Sequence, residues 1–144
     1  MAIWNRACTL DELRQRHVDT AEGHLGIEFT EIGEDWLAAR MPVDARTVQP
    51  FRILHGGASV LLAESVGSCA ANMCVDQEQF YCVGLDINAN HVRGAKSGWV
   101  TGTARPLHIG KSTHVWQIRI TNEAGALVCI SRLTMSVLRR EAQN

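Results

Sequence analysis

Glu64 is the residue that most invites a chemical reading. It lies among Leu61, Leu62, Ala63 and Val66 with no cation beside it. Burying a charged carboxylate is costly, so a carboxylate in such a run points to function more readily than to an ion pair. The chemistry open to it is nucleophilic attack or general-base activation of water. Nine residues upstream begins His55-Gly56-Gly57. Glycines at a helix start let a ligand or another backbone approach the exposed N–H groups. Ser68 follows Glu64 by four residues and shares its helix face, where the hydroxyl could hold a water or simply bond its own backbone. A serine-triad elbow is absent, since Gly57-Ala58-Ser59-Val60 lacks the second glycine of G-x-S-x-G. The six histidines show no H-x-x-x-H or Cys/His spacing, so no metal site is expected.

The elements that must position these residues can be read from periodicity. Thr9 and Glu12 have capping-box spacing, opening a short helix over residues 10–17. Residues 20–26 read as an irregular return. Ile27, Phe29 and Ile32, then Leu37, Ala39, Met41 and Val43, alternate as a hairpin around Gly33-Glu34-Asp35. Residues 44–53, with Pro50, form a loop. Residues 55–75 are too long and too apolar for one strand and predict a buried helix. Four strand-like segments follow, over 83–91, 99–109, 114–120 and 127–138, with a tight turn at 122–125 and a frayed end at 139–144. In the first of them Val83, Leu85, Ile87, Ala89 and His91 share one parity and would face the same side. The expectation is an α+β domain of residues 1–144, an antiparallel sheet wrapped around one long central helix.

Composition narrows the function classes. The 144 residues are 46% apolar and carry 14 Lys plus Arg against 15 Asp plus Glu, so no strong field favours nucleic acid or a membrane surface. Five cysteines without a C-x-x-C pair suit a reducing cytoplasm. No signal-like h-region and no run of about 18 apolar residues is present, which predicts a cytoplasmic chain.

The stretches QPFRILHGGASVLLAES, VGLDINANHVRG and PLHIGKSTHVW, in this order of elements, resemble the hotdog-fold acyl-CoA thioesterases. Within these the likeness is to the branch of the Arthrobacter-type 4-hydroxybenzoyl-CoA thioesterases and the 1,4-dihydroxy-2-naphthoyl-CoA hydrolases. It extends over residues 4–138. The resemblance implies hydrolysis of an aromatic or bulky acyl-CoA, with coenzyme A as part of the substrate and no separate cofactor. Glu64 would be nucleophile or general base, Gly56 would donate its backbone N–H to the oxyanion, and His55 and Gln49 would orient the thioester, with Ser68 beside Glu64. His55 could equally cap the helix. Gly84, His91, Val92, Arg93, Gly110, Lys111 and Ser112 would bind the substrate, with Arg132 a lesser candidate for the coenzyme A phosphates.

Helix geometry then requires two chains. Gly56 and Glu64 are eight residues apart, roughly 12 Å along one helix axis. A carbonyl held by the first cannot be within the 3–3.5 Å or so that attack by the second demands. This agrees with the implied assembly: an edge-to-edge homodimer, further paired as a dimer of dimers, with each site drawn from both subunits. Alternatives are proofreading hydrolysis of acyl groups on an acyl carrier protein, a hotdog dehydratase, and a non-catalytic acyl-CoA-binding module.

Overall fold

A computed structural model describes residues 1–142. The chain opens with helix α1 (Leu10–Arg16), whose Thr9 hydroxyl and Glu12 carboxylate form the expected capping box. Helix α2 (Ala21–His24) follows where an irregular segment was expected; Thr20 caps it by accepting from the Gly23 N–H. Strands β1 (Glu28–Ile32) and β2 (Leu37–Pro42) make the hairpin. Helix α3 (Gly56–Met73) comes next, then β3 (Phe80–His91), β4 (Trp99–Ile109), β5 (Thr113–Thr121) and β6 (Leu127–Arg139). The last strand includes Arg139, expected to fray; residues 143–144 of that segment lie outside the described residues.

All six strands join one antiparallel sheet in the order β1-β2-β4-β5-β6-β3. α3 packs across one face of it. Leu62, Ala63, Val66 and Ala70 of the helix meet Ala39, Met41, Val100, Trp116, Ile118 and Leu133 in the core. The approach is close at Gly67, where a β-carbon would come within 2.7 Å of the Leu133 side chain. Between β5 and β6 Gly125 takes a positive φ of 81° and its N–H donates to the Asn122 carbonyl, the expected tight turn.

Two further expectations need correction. α3 is not buried all round: Val60, Leu61, Glu64 and Ser68 are only half-buried, on a face the sheet leaves uncovered. In β3 the single parity breaks at a bulge, because Gly84 pairs with Met135 and Asp86 with the adjacent Thr134, leaving Leu85 unpaired. Cys82 and Gly84 therefore face inward before the bulge and Ile87, Ala89 and His91 after it, while Val83 and Leu85 are exposed at 39% and 64%.

Candidate active site

The first turn of α3 is built to present amides. His55, in extended backbone, caps the helix by accepting the Gly57 N–H at Nδ1, 2.8 Å away. In a neutral ring the proton must then sit on Nε2, which remains free to donate. The Gly56 N–H has no hydrogen-bond partner among the described residues. It opens into a groove of 420 Å³ whose lining includes Gln49, Ile53, Gly56, Ser59, His91, Val92 and Arg93. Gln49 enters from a turn in which the Arg52 N–H donates to the Gln49 carbonyl at 2.8 Å and Arg52 takes a positive φ of 65°. The Gln49 side-chain oxygen is occupied by the Phe51 N–H, leaving its amide hydrogens available. The His91 imidazole lies over Gly56, its Nε2 3.0 Å from where a β-carbon would stand. Side-chain bulk at Gly56 would press on that ring.

Two helical turns further on, Glu64 and Ser68 line a second groove, of 290 Å³, with Leu61, Ser65 and Glu22. Glu64 makes neither an ion pair nor a hydrogen bond among the described residues. Its carboxylate rests on the backbone of Gly84, where a β-carbon would come within 2.5 Å of Oε1. Glu22 and Ser65 were not foreseen: α2 brings Glu22 across 43 positions to accept the Ser65 hydroxyl at 2.9 Å. Burial pushes the Glu22 carboxyl up. Bonds from its own N–H, Thr20 and Ser65, with the charge of His17, outweigh that and hold it below the ordinary carboxylate value. The available signal was Thr20 as an N-cap with an acid in the following turn.

The family model described as "Thioesterase superfamily" matches residues 51–129, more than half of the chain and both grooves' helix. The chain belongs to the thioesterase superfamily. It is a thioester hydrolase with the hotdog fold. This thioesterase is 54% identical to the 1,4-dihydroxy-2-naphthoyl-CoA hydrolase of Escherichia coli over 136 residues, 94% of the chain and 99% of the relative. It is 46% identical to the proofreading thioesterase EntH of Cronobacter turicensis, over 94% of the chain and 98% of the relative. A crystal structure of a mutant thioesterase from Pseudomonas aeruginosa superposes with a TM-score of 0.95 at 49% identity, covering 96% of this chain and 100% of that one.

Within one copy of the thioesterase four of the remaining candidates divide between the two grooves. His91, Val92 and Arg93 accompany Gly56. Gly84 accompanies Glu64. Gly110, Lys111 and Ser112 form the β4–β5 turn and line neither groove; the Ser112 carbonyl accepts from the Val137 N–H. Val137 and Cys129, the partner of His91, are eight residues apart on β6, so the Lys111 turn and His91 stand roughly 26 Å apart. Arg132 pairs with Asn88 and Gln117 on the sheet face away from α3, which removes it from both grooves. No helix of the described residues is long and apolar enough to cross a membrane.

Proposed function

We propose that this thioesterase hydrolyses an aromatic or otherwise bulky acyl-CoA at sites each assembled from two copies of the chain. One observation carries the reading: the Gly56 amide and the Glu64 carboxylate, both without a partner among the described residues, open into separate grooves, roughly 12 Å apart on one helix. Each groove lacks what the other holds. An antiparallel partner helix would set the Gly56 groove of one copy against the Glu64 groove of the other.

In the combined site the thioester oxygen accepts from the Gly56 N–H, at the positive end of α3. Gln49 amide hydrogens and His55 Nε2–H hold the thioester in place. Glu64 then either takes a proton from water, whose oxygen attacks the carbonyl carbon, or attacks that carbon itself and is released by water. Along both routes negative charge collects on the oxygen held by Gly56. Collapse breaks the C–S bond, and the coenzyme A thiolate leaves to be protonated by solvent. Ser68, in the Glu64 groove, holds the water. Arg93 and His91 from one copy and the Lys111 turn from the other would flank the coenzyme A phosphates.

The relative named as a naphthoyl-CoA hydrolase supports a fused aromatic acyl group. The relative named as a proofreading thioesterase favours a second reading, acyl groups on a carrier protein. Thiol release measured across naphthoyl-, benzoyl- and fatty acyl-CoA and acyl carrier protein substrates decides between them. The first reading expects the highest kcat/KM on aromatic acyl-CoA; equal or better turnover on the carrier protein would replace it with the second.

A further inference from the structure

Cys82 stands opposite Val137 in the β3–β6 pair, and the Val137 N–H turns away from β3 to the Ser112 carbonyl at 2.9 Å. In an antiparallel ladder both members of such a pair aim their backbone groups outward. The Cys82 N–H and C=O therefore point to the open edge of β3. Asn72, in the last turn of α3, takes both: its Oδ1 accepts the Cys82 N–H at 2.8 Å and its Nδ2 donates to the Cys82 carbonyl at 3.1 Å. The same Nδ2 donates to the Ser68 carbonyl at 2.9 Å. The carboxamide thus imitates one residue of a neighbouring strand and ties it to α3 at Ser68, one turn beyond Glu64. Two residues beyond this clamp lies Gly84, the backbone on which the Glu64 carboxylate rests, and there β3 bulges.

We propose that Asn72 is a positioning residue: by fixing Cys82 to α3 it fixes the Gly84 backbone, and so the Glu64 carboxylate that has no hydrogen bond of its own among the described residues. The proposal rests on the reading of Glu64 as the hydrolytic carboxylate. Displacements near 1 Å at a reacting group cost on the order of 100-fold in rate. Asn72→Ala removes all three bonds; Asn72→Asp keeps the acceptor for Cys82 and loses both donated bonds.

The test is steady-state hydrolysis of an aromatic acyl-CoA by Asn72→Ala and Asn72→Asp, each also built on Glu64→Asp. The expected result is a fall in kcat of about tenfold or more with KM within about twofold, shrinking to less than about threefold on Glu64→Asp, because the two changes act through one group. Unchanged kcat, or the same loss in both backgrounds, overturns the proposal. Should Asn72→Ala fail to fold, Asn72→Asp carries the same comparison. Full turnover by Glu64→Ala would instead refute the reading of Glu64; an inactive Glu64→Ala beside a fully active Asn72→Ala would refute the positioning alone.

Discussion

At the scale of single residues, the two groups proposed to act on the thioester are alike in lacking a partner among the described residues. The Gly56 amide and the Glu64 carboxylate each face a groove unbonded among the described residues, which suits groups whose partner is a substrate. Glu64→Ala should lower kcat for thiol release by at least about 100-fold, in the range a positioned acid or base supplies. Gly84→Ala should act on the same carboxylate from outside: its methyl would press on Glu64 Oε1, lowering kcat by about tenfold while KM changes little, read in the same assay. Glu64 and the His55-Gly56-Gly57 start were legible because a charge in an apolar run and glycines before a helix are local signals. Glu22, Ser65 and Asn72 were not, since what matters about them is a contact made across 43 or 10 positions by tertiary packing.

At the scale of elements, α3 was readable from its length, and the turn at Gly125 from its composition. The β3 parity was misread at Val83 and Leu85 because one unpaired residue reverses a period of two, and nothing local in the sequence marks Leu85 as that residue. The start of α3 depends on its cap. His55→Ala removes the acceptor for the Gly57 N–H and should cost about 1 kcal/mol in chemical denaturation, besides any effect on turnover. β5 carries a second titratable element in the core: His114 is buried, its Nδ1 accepting from Trp116 Nε1 at 3.4 Å. Burial, with a smaller contribution from the charge of His108, holds its pKa below the usual 6.5. The unfolded chain therefore binds the proton more readily, so stability is intact above about pH 6.5 and declines as pH falls toward the folded value. Denaturant midpoints measured from pH 7.5 to 5 should fall for the natural chain and fall less steeply for His114→Gln.

At the scale of the whole molecule, the sheet ends on β3, which carries the exposed Val83 and Leu85 and whose edge beyond the Asn72 clamp is open. An open apolar edge invites a second strand. For the proposed dimer, Leu85→Glu should shift the protein toward monomer in sedimentation and abolish turnover while leaving the circular dichroism of the fold in place. The central claim, that each site takes Glu64 from one copy and Gly56 from the other, is tested most directly by subunit mixing. Glu64→Ala and Gly56→Pro are each expected to be inactive; proline suits the first helical position and removes the N–H, although its ring also crowds His91. Co-refolded in equal amounts, half of the dimers pair one chain of each kind, and in each of these one of the two sites is intact. Mixing should recover about a quarter of natural activity, from random pairing across a two-fold interface. No recovery, with mixed dimers demonstrated by mass spectrometry, would contradict it.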